Sequence, residues 1–189
     1  MKVNGENNFD LNAIDSKTKF LLAHTFTNER NREKCIEFLS QIKNTCYTQI
    51  LAKYHLKKYI GIDERIIFVC DGFANYKSAF NKLFYCVARL QFGVPIACKK
   101  YGLEYNNNAI ERYNGKISDR IKSIRSGFKN FADTEHFFDL RRIIHNFVNP
   151  NQELQGKTPA EVAGIKLELG RNKLLGLIQF VKDNYSILS

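Results

Sequence analysis

The chain contains 189 residues, of which 29 are Lys or Arg and 19 are Asp or Glu, so its formal net charge of +10 favours a polyanionic partner. An apolar share of 44% with only 11 Gly and 3 Pro is typical of one ordered domain with its own core, and it excludes a disordered or fibrous segment. No apolar run approaches the ~18 residues of a membrane-spanning helix, and the first ten residues lack the apolar run of a secretory signal.

The first predicted elements are strands. Asn4-Gly5 is the strongest two-residue signal for a tight hairpin, and the alternation of apolar and polar residues over 9–13 predicts a half-buried strand. A polar turn over 15–18 then leads into a second extended run over 20–27. Because only three residues precede Asn4, we expect the first strand of the hairpin to begin upstream of Met1.

A helix and a buried strand follow. Asn31 is a suitable N-cap, and apolar residues recur with helical spacing at Cys35, Phe38, Leu39 and Ile42. Apolar positions over 46–54 either continue this helix or form a second one. The apolar and partly β-branched run Ile66–Cys70 is typical of a central strand covered on both faces.

The second half of the chain is mainly helical. A helix is predicted from Tyr76 through Val87, ending near Gly93-Val94-Pro95, and Val94–Cys98 could form one more short strand. Three further helical stretches are predicted, over 108–125, 134–148 and 158–184. Because strands cluster early and then alternate with helices, the sequence predicts an α/β protein with a mixed sheet.

Two carboxylates could carry metal chemistry. Asp71 follows the predicted central strand, and ligands collect at the carboxyl ends of strands in open α/β sheets, although an Asp-Gly turn or a helix cap would also explain it. Glu111 lies near a helix start, where a favourable interaction with the helix dipole or a capping box with Asn108 would explain it. Three consecutive asparagines (106–108) precede it, however, and a cap needs only one. Together Asp71 and Glu111 could converge on Mg²⁺, and a two-ion site would normally need a third carboxylate.

Several short segments occur together in an informative order: Lys2–Gly5, Ala13–Asp15, Asp71-Gly72 with Tyr76, Asn107–Glu111, Arg120 with Arg125–Lys129, His145–Phe147 and Gly156–Glu161. This set resembles the DDE transposases of prokaryotic insertion sequences. The resemblance implies a ribonuclease-H-like mixed sheet with an initial antiparallel hairpin or meander and flanking helices. It further implies a catalytic core over 1–150 and a C-terminal helical tail over 151–189.

The same resemblance implies metal-dependent phosphodiester cleavage and strand transfer on double-stranded DNA, with Asp71 and Glu111 as catalytic ligands of two Mg²⁺ or Mn²⁺ ions. In that family the first catalytic aspartate lies a few residues ahead of the segment matched by Lys2-Val3, and DNA-binding helices precede it. Asp10 and Asp15 fall on the second strand and its turn, so they do not replace that aspartate. We therefore expect an incomplete metal site and no strand cleavage by this chain. The alternative is a non-catalytic DNA-binding remnant of a mobile element, or a partner of a full-length transposase.

A basic stretch follows Glu111 directly. Residues 112–129 contain six basic side chains and one acidic side chain, and positions 112, 116 and 120 share one helical stripe. A solvated helix face is the simpler interpretation. Beside a candidate metal ligand, however, the stretch predicts DNA-phosphate contacts without sequence specificity. The predicted DNA-binding residues are Asn107, Asn108, Arg112, Lys116, Arg120, Lys122, Arg125 and Lys129.

Other residues are predicted to be structural. His24 and His145 lie at positions typical of structural histidines whose hydrogen bonds are satisfied in the core. Cys70 lies on a predicted buried strand, where a cysteine usually acts as a small apolar side chain. Five cysteines without a CxxC pair favour reduced thiols in a cytoplasm over disulfides or a zinc knuckle. The resemblance to insertion-sequence transposases implies that this cytoplasm is prokaryotic and that the protein lies near the nucleoid. An RNA-binding protein would need exposed aromatic residues. The aromatics considered for that role occupy core-like helical positions: Phe80, Phe84, Phe137 and Phe138.

Overall fold

The computed structural model describes residues 2–3, 5–92, 108–124 and 128–185. The chain divides into two compact units, unit 1 from residues 1–13 and 22–129 and unit 2 from residues 14–21 and 130–189. The α/β class is confirmed, since both helices and strands are present. The boundary near residue 150, which the resemblance implies, stays a prediction. The predicted strand Val94–Cys98 lies outside the described residues.

The strands of the described residues form three two-stranded sheets. Strands β1 (Lys2–Val3) and β2 (Glu6–Asn7) pair antiparallel with Val3 opposite Glu6, and Gly5 between them has a φ of 85°, so the predicted hairpin is confirmed. The second sheet contains β3 (Phe9–Ile14) and β4 (Leu21–Thr27), close to the predicted extended runs.

A single helix, α1 (Arg32–Ile60), spans 29 residues and resolves the alternative of one helix or two. Its predicted N-cap is confirmed, because the Asn31 side chain accepts a hydrogen bond from the Lys34 N–H at 2.9 Å. The helix ends at Gly61, which has a φ of 73° and donates its N–H to the Lys57 carbonyl at 3.1 Å. The predicted apolar face is also confirmed, since it is buried at Cys35, Phe38, Leu39 and Ile42.

The core of unit 1 lies between α1 and α2 (Ala74–Phe84), which pack against each other. Strand β5 (Ile67–Cys70) joins this core through Phe68, whose ring centroid lies 4.9 Å from that of Phe84. All four β5 side chains are only half-buried, and β5 pairs in parallel with one described strand, β6 (Arg89–Phe92). The prediction of a strand covered on both faces is therefore met only in part, because side chains on both faces are partly buried.

Helix α2 is shorter than predicted. It ends at Phe84, and Cys86 follows with a φ of 65°, which a helix cannot accommodate. The Arg89 N–H then donates to the Ile66 carbonyl at 2.8 Å and starts β6. The predicted end near Gly93 is wrong because pairing with β5 replaces the helix.

Helix α3 (Asn108–Lys122) confirms the third predicted helix within the described residues, and it buries Tyr113 and Ile117. Unit 2 contains α4 (Phe131–Ile143), followed by one π-helical turn over Ile144–Val148. This agrees with the predicted helical stretch over 134–148.

The predicted helix over 158–184 is wrong in one respect, because it is two helices. Helix α5 (Pro159–Val162) begins with a capping box formed by Thr158 and Glu161, and α6 covers Lys173–Tyr185. Gly164 and Gly170, with φ values of 82° and 67°, bracket the non-helical segment between them. None of the helices in the described ranges combines the length and hydropathy of a membrane span.

Candidate metal and nucleic-acid site

Asp71 lies directly after β5 and two residues before the cap of α2. Its Oδ1 accepts a hydrogen bond from the Phe73 N–H at 3.3 Å, so the interpretation of Asp71 as a turn residue is confirmed. The side chain nevertheless stays 52% exposed. Its carboxylate can therefore reach a solvent ligand while serving the turn.

Arg30 is the main partner of Asp71, and no sequence pattern indicated it. Its Nη2 donates to Asp71 Oδ2 at 2.5 Å, and its Cζ lies 4.1 Å from the centroid of the Phe73 ring. The Arg30 carbonyl also accepts a hydrogen bond from Asn75 Nδ2 at 3.3 Å. Partial burial lowers the pKa of Arg30, but the hydrogen bond and charge of Asp71 more than offset it, so the pKa is raised. Arg30 is thus a fixed cation beside the candidate ligand.

The neighbouring thiols and phenol are poor nucleophiles. Burial raises the pKa of Cys70 to about 11, and the Asp71 charge adds to this effect. Burial likewise raises the pKa of Tyr76 to about 12 and raises the pKa of Cys35. These groups stay protonated near neutral pH, which agrees with the prediction that Cys70 acts as a small apolar residue.

The second candidate ligand, Glu111, lies exposed in the first turn of α3. The described contacts of Asp71 are to Arg30 and Phe73, so the pairing of Asp71 with Glu111 stays a prediction. Within the described ranges, no group of three or more His, Cys, Asp or Glu side chains could hold a metal ion. The available donor is a half-exposed carboxylate, whose hard oxygens suit Mg²⁺ with water completing the shell.

The basic stretch forms an exposed surface on α3 and just beyond it. Tyr113 and Ile117 are the buried positions of α3, while the predicted phosphate contacts are exposed at Arg112, Lys116, Arg120, Lys122 and Lys129. Lys122 also pairs with Asp119 at 3.6 Å, across a fully hydrated surface. Asn108 is the first residue of α3, whereas Asn107 and Arg125 lie outside the described residues. A surface of this kind can track a phosphate backbone.

Both histidines discussed above are structural, as predicted. His24 is 6% exposed, and its Nε2 lies 2.8 Å from Asp10 Oδ1. Asn12 Nδ2 donates to the other oxygen of Asp10 at 2.8 Å, so both oxygens of this carboxylate have a polar neighbour on β3 or β4. His145 Nε2 lies 2.8 Å from the Lys19 carbonyl oxygen in unit 2.

No protein-family model matches the chain, and no curated protein matches it.

Proposed function

We propose that the chain is the ribonuclease-H-like core of a DDE-type transposase that acts on double-stranded DNA. The observation that carries this proposal is the half-exposed carboxylate of Asp71 immediately after the parallel strand β5. The carboxyl ends of parallel strands are where α/β proteins bind ligands and ions. The order of Asp71-Gly72, Asn107–Glu111 and the basic stretch supports the same proposal.

In this proposal Asp71 and Glu111 hold divalent cations through carboxylate oxygens. Bound Mg²⁺ or Mn²⁺ would activate an attacking hydroxyl and stabilise the leaving oxygen of a phosphodiester. The exposed stripe of Arg112, Lys116 and Arg120 neutralises DNA phosphates and keeps the duplex beside the carboxylates. With three phosphate contacts, the slope of log affinity against log salt should be ~−3.

Arg30 gives the proposal a distinctive signature. Its guanidinium holds one oxygen of Asp71, so a cation at that carboxylate meets a positive charge already in place. At a solvent-screened site this repulsion is worth ~1 kcal/mol, equivalent to a roughly fivefold change in affinity. Arg30→Ala should therefore strengthen Mn²⁺ binding, whereas loss of either carboxylate should weaken it.

The test is a titration of the protein with Mn²⁺ in the presence of duplex DNA. Electron paramagnetic resonance measures the concentration of free Mn²⁺ at each point. Asp71→Asn and Glu111→Gln should each weaken binding by ~10-fold or more, because each removes a charged ligand from the ion. Asp119→Asn, which removes another exposed carboxylate from α3, should leave binding unchanged. Mn²⁺ affinity that is the same in wild type, Asp71→Asn and Glu111→Gln would overturn the proposed ligands.

Strand cleavage is a separate measurement. The resemblance matches two of the family's three carboxylates, so we expect the chain to leave supercoiled DNA intact with Mg²⁺ or Mn²⁺. Nicking by the wild type that disappears in Asp71→Asn would contradict this expectation. It would show that another carboxylate of the chain completes the site.

The second candidate function is non-catalytic binding of duplex DNA, favoured by the exposed basic surface of α3. It predicts salt-sensitive binding of duplex DNA that Asp71→Asn and Glu111→Gln do not change. Absent or salt-independent binding would count against it. Both functions place the protein with DNA in a prokaryotic cytoplasm, paired with a second copy or with a full-length transposase.

A further inference from the structure

The last turns of α1 carry an aromatic surface that the proposed function does not use. Tyr59 is 72% exposed, and its ring stacks on His55 with centroids 5.8 Å apart and planes inclined by 29°. Tyrosine rings are usually buried at least in part, whereas a large area of the Tyr59 ring faces solvent. The exposed Tyr59 ring, stacked on His55, is called the Tyr59 platform.

The surroundings of the Tyr59 platform are basic. Lys58 Nζ lies 5.7 Å from the centroid of the Tyr59 ring, and no acidic partner of Lys58 is present among the described residues. Between residues 53 and 65 the chain has four Lys or Arg and two Asp or Glu side chains. A ligand with a π face and a negative charge would complement both features at once.

Ion pairs fix the backbone on which the platform stands. Lys53 pairs with Glu64, and Lys57 pairs with Asp63 at 3.3 Å, so the segment after the helix is folded back along α1. Arg65 Nε binds the same Asp63 at 2.9 Å. These pairs and the Gly61 cap favour the helical backbone that presents the ring, which reduces the entropy lost when a ligand stacks on it.

We propose that the Tyr59 platform binds an unpaired base of single-stranded DNA, with Lys58 on the adjacent phosphate. Bases within a duplex already stack on their neighbours, so this site selects single strands, unlike the phosphate contacts of α3. It goes beyond the proposed function and requires neither Asp71 nor Glu111, although the choice of DNA over RNA rests on that proposed function. A protein partner would instead use the exposed Ile60 and Ile62 beside the platform, and it is an outcome of the test.

The experiment measures binding of a fluorescent oligo-dT of about 12 nucleotides to the full chain by anisotropy. Tyr59→Ala should weaken binding by ~5-fold or more, the effect of losing one stacked base. Tyr59→Phe keeps the π face and should bind within about twofold of wild type. Tyr85→Ala is the matched control, because Tyr85 is 73% exposed but belongs to the end of α2.

Three results would overturn the proposal: no binding of oligo-dT by wild type, equal affinities for Tyr59→Ala and Tyr85→Ala, or a preference for oligo-rU. A fourth result would also overturn the proposal: the double variant Ile60→Ala, Ile62→Ala loses oligo-dT binding while Tyr59→Ala keeps it. That result would indicate an apolar surface for a protein partner. Asp71→Asn should keep oligo-dT binding while losing Mn²⁺. The platform and the proposed function can therefore fail independently.

Discussion

Replacing Asn146 by alanine should strongly destabilise unit 2. Asn146 is 3% exposed, and its Oδ1 accepts the Leu21 N–H at 2.9 Å while its Nδ2 donates to the Leu21 carbonyl at 3.1 Å. One side chain thus satisfies both polar groups of a backbone residue that is itself buried. Alanine would remove both of these hydrogen bonds from the buried backbone of Leu21.

The magnitude follows from these contacts. Each net hydrogen bond contributes ~1 kcal/mol, and a buried backbone group left unsatisfied costs ~1–3 kcal/mol, terms that overlap in part. We expect a loss of ~3 kcal/mol in the free energy of unfolding. For a chain of this length that corresponds to a fall in Tm of ~6–12 °C if unfolding is cooperative.

The assay is urea unfolding followed by circular dichroism, with three variants. Asn149→Ala is the matched control, since Asn149 is exposed three residues further along, and it should change stability by less than ~0.5 kcal/mol. Asn146→Leu keeps the number and branching of the side-chain heavy atoms but loses both hydrogen bonds, so it should also be strongly destabilising. Equal stabilities of Asn146→Ala and Asn149→Ala would refute the reasoning.

Two further predictions concern α6 and its neighbour α5. A Cβ on Gly176 would lie 2.1 Å from the Leu169 carbonyl oxygen, so Gly176→Ala should lower the free energy of unfolding by ~1–2 kcal/mol. Gly115 in α3 has open space around it, so Gly115→Ala should raise that free energy by up to ~1 kcal/mol. Chemical unfolding measures both. The Lys173 ammonium, with the backbone N–H of Thr158, lowers the pKa of Glu161 from 4.5 to about 2. The ionised Glu161 therefore stabilises the fold above pH 4.5, and this contribution is lost as pH falls towards 2. The difference in Tm between wild type and Glu161→Gln should accordingly disappear over that range. A difference in Tm that does not depend on pH would contradict this prediction.

Local signals predicted much of unit 1. Asn31 as a cap and the helical spacing of Cys35 to Ile42 predicted the first half of α1, because both depend on residues within a few positions of one another. The Asn4-Gly5 hairpin was found for the same reason. The continuation of α1 to Ile60 was undecided, because the apolar positions over 46–54 fit either one continuous helix or a second one.

Non-local contacts explain the errors. Arg89–Phe92 becomes a strand through its pairing with β5, about twenty residues earlier, which helical spacing within 76–95 cannot show. At the candidate site, Asp71 was found because it follows a strand, but Arg30 belongs to a polar run without periodicity and meets Asp71 only in the fold. Tyr59 was overlooked for a similar reason, since exposure cannot be read from a single residue type.

The length of α1 has a consequence for local opening. Ile50 is its last fully buried residue, so ten residues, ~15 Å of helix, extend beyond the core and depend on the Gly61 cap and the pairs Lys53–Glu64 and Lys57–Asp63. Surface ion pairs are weak and are screened by salt. Amide hydrogen exchange over this end of α1 should therefore accelerate with ionic strength, while exchange near Phe38 should not. Salt would then weaken single-strand binding twice, by screening the phosphates and by loosening the helix that presents the ring.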